Sequence, residues 1–296
     1  MHERSAAGTP DGFHTLINAA QLAQIAAAST AGAPDLAIVD CRHDLRAPAW
    51  GRQAYLTDHI PGAVFASLDE DLSGPLTPRS GRHPLPSCEA VAAWLGRVGI
   101  GNDTQVIAYD QGSVFAARLW WLLRWLGHER VAVLDGGLAA WRAAGAPLDN
   151  SPVSPRPTVF TPGLPLEVAL DTAEVQQLLD SGAVVLVDAR AADRFAGQNE
   201  TIDPVAGHVP GARNHPFSQD LAADGRLLPP SELAVRWQRT LAGAAATDVV
   251  TMCGSGVTAC HSLLALRHAG LGGGRLYAGS WSQWIRDPAR PVATGS

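Results

Sequence analysis

The sequence predicts an α/β protein that consists of two copies of one domain, each with a largely parallel sheet flanked by helices. Along the 296 residues, short β-branched runs such as LAIVDC and DVVTM alternate with helical patterns such as DTAEVQQLLD. Alternation of this kind is typical of parallel sheets whose strands are joined by helices. A chain of this length can also bury two separate cores.

Two copies are indicated by an internal repeat. Four segments of the first half return in the second half, in the same order: IVDCR (38–42) as LVDAR (186–190), DHIPGA (58–63) as GHVPGA (207–212), VIAYDQGSVFAARL (106–119) as VVTMCGSGVTACHSL (249–263), and GGLAAW (136–141) as GSWSQW (279–284). Self-similarity of this kind reports a repeated structural unit. We therefore expect both domains to have the same topology.

A proline-rich stretch separates the two copies. The prolines of APLDNSPVSPRPTVFTPGLPLE (146–167) are too closely spaced for a helix or a central strand, and they favour an extended connector. The predicted boundaries are a first domain at 1–146, a linker at 147–166 and a second domain at 167–296.

Helix ends are marked by capping residues. Gly127 and Gly270 each follow an apolar helical run, where glycine commonly closes a helix. Asp171 precedes another such run and is a predicted N-cap. The nine tryptophans, including the pair at 120–121, are predicted to pack in the cores and between the domains.

Composition narrows the classes of partner. The formal net charge is −6 and the pI is near 5.9, and no basic run is present, so neither nucleic acid nor an acidic membrane surface is expected as a partner. No apolar run reaches membrane-spanning length, and the opening MHERSAAGTPDGFHT lacks the pattern of a secretory signal. The expected location is the cytoplasm, and the expected partners are small molecules and soluble proteins.

The four cysteines do not form a recognisable framework. Cys41, Cys88, Cys253 and Cys260 are irregularly spaced, which fits neither a disulfide scaffold nor a structural zinc site. Cys41 follows a buried-strand pattern, Cys88 is expected in a proline-flanked loop, and Cys260 is expected on the packed face of a helix. Cys253 has a different setting.

Cys253 lies in the loop MCGSGVTAC (252–260), between the predicted strand DVVTM and a predicted helix. In open α/β sheets, ligands bind at the carboxyl edge of the strands. Gly254 and Gly256 allow a tight turn whose N–H groups converge on one point, and the positive end of the helix dipole adds to their field. A thiolate at Cys253 would be stabilised there, so a nucleophilic cysteine is predicted.

The first copy lacks this nucleophile. Its corresponding loop reads Asp110-Gln111-Gly112-Ser113, and a carboxylate cannot perform thiol chemistry. We expect the second domain to react and the first to be catalytically inactive, supplying architecture and one wall of a site at the domain interface.

The repeat, the loop and the flanking turns resemble the tandem rhodanese-type sulfurtransferases over about residues 13–293, and CGSGVT resembles the active loop of the 3-mercaptopyruvate sulfurtransferases. The resemblance implies that Cys253 takes a sulfane sulfur from a small-molecule donor, becomes a persulfide, and passes the sulfur on. The implied acceptors are cyanide or a thiol, such as a low-molecular-weight thiol or a thioredoxin-like protein. No metal or organic cofactor is implied.

The loop composition and the resemblance together favour 3-mercaptopyruvate as the donor. Relatives that prefer thiosulfate typically carry basic residues directly after the cysteine, whereas this chain has Gly254 and Ser255. The resemblance makes Ser255, His83 and Asp69 a relay for the proton of the donor thiol, which is a usual way to poise a hydroxyl for proton transfer. Thiosulfate remains the alternative donor.

The resemblance also assigns substrate contacts to Arg194 and to the loop residues Gly254, Gly256, Val257 and Thr258. An arginine can hold a donor carboxylate with two parallel hydrogen bonds. The best-known members carry a second arginine about nine positions further on, where this chain has Asp203. Arg79 or Arg82, beside His83, could supply the missing cation.

Two other classes of protein are less consistent with the sequence. A cysteine-dependent phosphatase needs an arginine six positions after the cysteine, and that position is Ala259; the residue before the cysteine is Met252 rather than histidine. A non-enzymatic sulfur carrier or regulatory binding module would be natural if both loops lacked cysteine. Cys253 argues against it.

Several polar residues recur in both copies, active and inactive alike: Asp40, Arg42 and His59 in the first, and Asp188, Arg190 and His208 in the second. A role shared by both copies is more consistent with structure than with catalysis. Ion pairs and turn caps are therefore predicted for them.

Overall fold

The computed structural model describes residues 12–29 and 36–295. The first domain contains β1 (Leu16–Ile17), α1 (Ala19–Ala28), β2 (Leu36–Asp40), α2 (Trp50–Thr57), β3 (Val64–Phe65), α3 (Cys88–Arg97), β4 (Gln105–Tyr109), α4 (Ala116–Trp125), β5 (Val131–Leu134) and α5 (Gly137–Ala143). The second contains β6 (Ala169–Leu170), α6 (Thr172–Asp180), β7 (Val185–Asp188), α7 (Ala192–Phe195), β8 (Arg213–Asn214), α8 (Pro230–Leu241), β9 (Val249–Met252), α9 (Thr258–His268), β10 (Arg275–Tyr277) and α10 (Ser280–Trp284), with 3₁₀ turns at Phe217–Asp220 and Ala246–Asp248.

The two domains share one topology, as the repeat predicts. Each has a five-stranded sheet, with the order β1-β5-β4-β2-β3 in the first and β6-β10-β9-β7-β8 in the second. All paired strands are parallel. The central strands β4 and β9 end directly before Asp110 and Cys253, so both loops leave the carboxyl edge at the middle of a sheet. The predicted fold class is confirmed.

The domains pack through α4 and α9. All of α4 except Trp125 is buried, and eight consecutive residues of α9, Ala259–Leu266, are buried as well. Helices whose residues are buried on nearly all sides lie in an interior rather than at a surface. One apolar cluster contains residues of both domains, among them Trp120, Trp237 and Leu264, so the core continues across the interface.

Arg118 is the charged residue at the centre of this interface. Its side chain, on α4, is fully buried. It donates hydrogen bonds to the carbonyl oxygens of Leu72 (3.2 Å), His83 (3.2 Å) and Gly256 (3.3 Å). A buried guanidinium needs such partners to offset its desolvation, and these partners belong to two loops, one from each domain.

Most predicted helix ends are confirmed. Asp171 caps α6 in a capping box with Glu174, and Gly127 and Gly270 adopt positive φ directly after the C-cap residues Leu126 and Ala269. The prediction for Cys88 is wrong, because Cys88 is the first residue of α3 rather than part of a loop. Ser87 caps that helix by accepting the Ala90 N–H, a preference that overrides the nearby prolines.

The connector contains no helix or strand over residues 150–163. It runs along the first domain, where Thr158 N–H donates to the Gly96 carbonyl (2.9 Å) and Gly163 N–H donates to the Leu126 carbonyl (2.8 Å). The boundaries at 147 and 166 stay predictions.

Candidate active site

A cavity of about 300 Å³ lies between the domains at the carboxyl ends of β4 and β9. Its walls include the loop of the first domain, represented by Asp110 and Phe115, and the loop of the second, represented by Cys253 and Thr258. Phe217 and Leu45 add apolar surface. A cavity is therefore present at the domain interface, where the site is expected, and Cys253 lies in its wall.

Cys253 is held at the start of its loop by hydrogen bonds. Its N–H donates to Ser280 Oγ (3.1 Å), and its Sγ accepts the N–H of Gly256 (3.1 Å). The side chain is 2% exposed. Gly256 has φ +80°, and a Cβ there would lie 2.4 Å from the Ala278 carbonyl oxygen, so this turn requires glycine.

The loop of the first domain shows what such a turn does to an anion. The Asp110 carboxylate accepts the N–H groups of Gly112 (2.6 Å), Ala116 (2.8 Å), Ser113 and Phe115. Burial raises the pKa of Asp110, and these backbone hydrogen bonds oppose that rise. In the first domain, the Asp110 carboxylate thus occupies the point at which the backbone N–H groups of its own loop converge.

The predicted relay residues are in contact. Ser255 Oγ lies 2.7 Å from His83 Nδ1, and His83 Nε2 lies 3.3 Å from Asp69 Oδ1. Ser255 and His83 are buried, whereas the Asp69 side chain is 44% exposed. The hydrogen bond to His83 lowers the pKa of Asp69, which keeps the carboxylate ionised and the imidazole oriented.

Arg194 lies in the cavity wall, but its guanidinium is already paired. It contacts both carboxylate oxygens of Glu200 (2.9 and 3.0 Å from Nη2) and Asp203 (3.1 Å). Asp203 also pairs with Arg82, which lines the same cavity. Asp203 therefore bridges two guanidiniums of the cavity wall, those of Arg82 and Arg194.

The carboxylates of this cluster have opposite pKa shifts. Burial raises the pKa of Glu200, but hydrogen bonds from Arg194 and from two backbone N–H groups outweigh it, and the pKa is lowered. For Asp203, burial dominates over the attraction of Arg82 and raises the pKa. Asp203 is the carboxylate that is more easily neutralised.

The loop beside these cations is open because residue 254 is a glycine. A Cβ on Gly254 would lie 2.7 Å from Arg82 Nη2 and 3.7 Å from Arg194 Nη2. The cysteine and the two guanidiniums consequently face the same small volume.

Comparison with known proteins settles the family. The model of the rhodanese-like domain matches residues 22–144 and again residues 171–287. The chain belongs to the rhodanese-like family. Each rhodanese-like match spans one of the two parallel sheets, except for β1 and β6 at their edges.

Relatives with this tandem arrangement carry sulfurtransferase names. A "Probable 3-mercaptopyruvate sulfurtransferase" of Pseudomonas aeruginosa is 51% identical over 265 residues, which cover 88% of this chain and 93% of the relative. The thiosulfate sulfurtransferase of Mus musculus is 34% identical over 282 residues, 93% of each chain. The structure of the 3-mercaptopyruvate sulfurtransferase from Leishmania major superposes with a TM-score of 0.80 at 30% identity, over 95% of this chain and 77% of that one.

The structure brings most of the predicted substrate residues of this rhodanese-like chain together. Arg194, Gly254, Val257 and Thr258 line the cavity, whereas Gly256 lies behind the loop and contributes its N–H to Sγ. Arg79 does not line this cavity. Its exposed side chain faces a separate groove beside Arg286.

The recurrent polar residues have the structural roles expected of them. Asp40 pairs with Arg42 (2.7 Å) and Asp188 with Arg190 (2.6 Å). His59 stacks on Tyr55 and His208 on Phe195, each with Nδ1 at the carbonyl oxygen of its stacking partner (2.8 Å). Cys260 is buried on the packed side of α9, with Sγ 3.2 Å from the Gly256 carbonyl oxygen.

Three residues near the site were missed by sequence reasoning. Glu200 pairs with the Arg194 guanidinium. Arg118 donates a hydrogen bond to the Gly256 carbonyl oxygen in the loop that follows Cys253. His43 lies beside the relay, with its ring centroid 6.3 Å from that of His83 in an edge-on arrangement. Its place just after β2, at the carboxyl edge of the sheet, is a signal that could have identified it.

In the described part of the chain, no helix combines the length and the apolarity that a membrane crossing requires.

Proposed function

We propose that this chain is a sulfurtransferase that moves the sulfur of 3-mercaptopyruvate to an acceptor through a persulfide on Cys253. The observation that carries the proposal is the contact between Ser255 and His83 directly beside Cys253, in a loop without basic residues. A donor that is itself a thiol must lose a proton during transfer. A hydroxyl paired with an imidazole is suited to take it.

The first half-reaction follows from these positions. The Cys253 thiolate attacks the donor sulfur, an S–S bond forms, and the C–S bond breaks with its electron pair passing to the carbon of a pyruvate enolate. The Ser255 hydroxyl and His83 take the donor's thiol proton and return it to the enolate carbon, so that pyruvate leaves and Cys253 holds a persulfide anion. Asp69 holds His83 in orientation.

The second half-reaction removes the outer sulfur. A thiolate or cyanide attacks it, the S–S bond breaks, and the electron pair returns to Cys253 as a thiolate. The Gly256 N–H, 3.1 Å from Sγ, stabilises that thiolate. The chain needs no cofactor for either step.

Arg82 and Arg194 are the groups proposed to bind the donor's carboxylate. Both face the volume above Gly254. Because Asp203 bridges them, a donor carboxylate must replace some of its hydrogen bonds.

The experiment compares 3-mercaptopyruvate and thiosulfate as donors, with cyanide as acceptor, and measures pyruvate and sulfite release. We expect pyruvate release to dominate and to disappear in Cys253→Ser. Cys88→Ser is the matched control, since Cys88 is partly exposed at the start of α3. Dominant sulfite release would contradict 3-mercaptopyruvate as the preferred donor. Activity in Cys253→Ser would contradict a persulfide on Cys253.

Thiosulfate is the second candidate donor, favoured by the full-length similarity to a thiosulfate sulfurtransferase. A non-enzymatic sulfur carrier would release one equivalent of product without turnover. Multiple turnovers with cyanide therefore separate an enzyme from a carrier.

The acceptor in the cell is proposed to be a low-molecular-weight thiol or a thioredoxin-like protein. All four cysteines are free thiols, in keeping with the reducing cytoplasm predicted as the location.

A further inference from the structure

Three metal-ligating side chains meet at the outer end of the relay. One ligand atom each from His43, Asp69 and His83 lies within 4.8 Å of the other two. His43 comes from the loop after β2, whereas Asp69 and His83 come from the long segment between β3 and α3. Two imidazoles and one carboxylate form a donor set that suits Zn²⁺.

The His43 ring is available as a ligand. Its side chain is 3% exposed, and within residues 12–29 and 36–295 neither ring nitrogen takes part in a hydrogen bond. One ring nitrogen of His43 lies within 4.8 Å of a carboxylate oxygen of Asp69.

The geometry requires only a small closure. Zn–N and Zn–O bonds of about 2.0–2.2 Å place tetrahedral ligands about 3.3–3.6 Å apart, and His83 Nε2 is already 3.3 Å from Asp69 Oδ1. Asp69 is 44% exposed, so its side chain can move toward His43. Water can occupy the fourth position.

We propose that His43, Asp69 and His83 form an inhibitory Zn²⁺ site that switches off the relay. The inhibition, though not the binding, rests on the proposed function. The inhibition follows from the tautomer of His83. Its Nδ1 faces Ser255 and its Nε2 faces Asp69, so the active relay needs Nδ1 without a proton, ready to accept the Ser255 hydroxyl.

Zinc bound at Nε2 reverses this arrangement. A neutral imidazole that coordinates through one nitrogen carries its proton on the other. The proton therefore moves from Nε2 to Nδ1, with no net proton release, and Nδ1 becomes a donor to Ser255 Oγ. Ser255 can then no longer pass a proton to His83, while Cys253 is not itself a ligand.

Equilibrium dialysis with Zn²⁺ tests the site without using activity. We expect one Zn²⁺ per chain in wild type and in Cys253→Ser. His43→Ala and His43→Leu are expected to weaken binding by more than about tenfold, since even the loss of an outer-shell partner costs about 10- to 100-fold. Binding that is lost in Cys253→Ser would place the ion on the thiol and overturn the proposal, as would unchanged affinity in either folded His43 variant.

Turnover measurements then test the switch. His43→Ala and His43→Leu are expected to keep the turnover of the wild type and to lose its inhibition by Zn²⁺. Inhibition that persists at the wild-type Zn²⁺ concentration in these variants would contradict the switch. If the proposed donor chemistry is wrong but the site exists, dialysis still gives one Zn²⁺, so the two failures are distinguishable.

Discussion

Ser255 Oγ and His83 Nδ1 lie 2.7 Å apart although 172 positions separate the two residues in the chain and they belong to different domains. Cys253, the proposed nucleophile, and the imidazole of the proposed relay are therefore brought together only when the domains dock. The shared core between α4 and α9 fixes that docking.

Relay variants should discriminate between the donors. Ser255→Ala and His83→Gln are expected to lower kcat for 3-mercaptopyruvate by about 10²- to 10⁴-fold, the usual contribution of a positioned acid or base. Thiosulfate has no thiol proton, so its turnover should change little. Steady-state kinetics with both donors measure this.

Ser262→Ala is the matched control for the relay. Ser262 is buried in α9, and its hydroxyl has no hydrogen-bond partner within the described structure. Its removal should leave both activities intact. Equal losses for both donors in Ser255→Ala would contradict a role in proton transfer.

Removing the charge of Asp203 should improve the binding of anionic donors. In Asp203→Asn, Arg82 and Arg194 lose a competing carboxylate, so KM should fall for 3-mercaptopyruvate and fall further for the dianion thiosulfate. Asp193→Asn is the control, because the Asp193 carboxylate accepts hydrogen bonds from the Asn199 side chain (3.0 Å) and the Arg194 backbone N–H (2.8 Å), not from a guanidinium. A KM that rises in Asp203→Asn would show that Asp203 positions the cations instead of competing for them.

Gly256→Ala should disrupt the reactive loop. A non-glycine residue with positive φ costs about 1–2 kcal/mol, and here the added Cβ would also lie 2.4 Å from the Ala278 carbonyl oxygen. Gly211 has the same φ of +80° but open space around its Cβ position. Chemical denaturation should therefore show a larger loss of unfolding free energy for Gly256→Ala than for Gly211→Ala. Equal losses of unfolding free energy would mean that the loop can move away from Ala278.

The folded protein should lose stability as the pH falls below about 6.5, the ordinary pKa of histidine. Burial lowers the pKa of His261, so this ring stays neutral in the folded state, whereas the unfolded chain takes up a proton. The contribution of the neutral His261 ring to the free energy of unfolding is complete above about pH 6.5. Below that pH it is lost at up to about 1.4 kcal/mol per pH unit. His128 and His268 shift in the same direction.

Thermal unfolding between pH 7.5 and 5 measures this dependence. His261→Leu should flatten it, while His14→Gln, at a partly exposed ring, should not. A wild-type Tm that is independent of pH in this range would contradict the prediction.

The sequence predicted the fold and the position of the cysteine loop because both follow local rules, whereas roles for Ser255, His83, Asp69 and Arg194 came only from the family resemblance. Strand and helix patterns give the sheets, and the glycines on either side of Ser255 mark the loop. The pairing of Arg194 with Glu200 could not be predicted in this way, because it depends on how the segment after α7 folds back. His43 was missed because its significance comes from Asp69 and His83, which reach it through tertiary packing alone.

The buried Arg118 limits how this protein can be divided. Its side chain belongs to the first domain, yet one of its hydrogen bonds is to the carbonyl of Gly256, whose N–H contacts the Cys253 sulfur. A second domain produced alone would keep Cys253. It would lose the Arg118 guanidinium that contacts Gly256 and the His83 imidazole that contacts Ser255. Because α4 and α9 share one interior, cutting the chain at its connector would also expose the apolar faces of both helices to water.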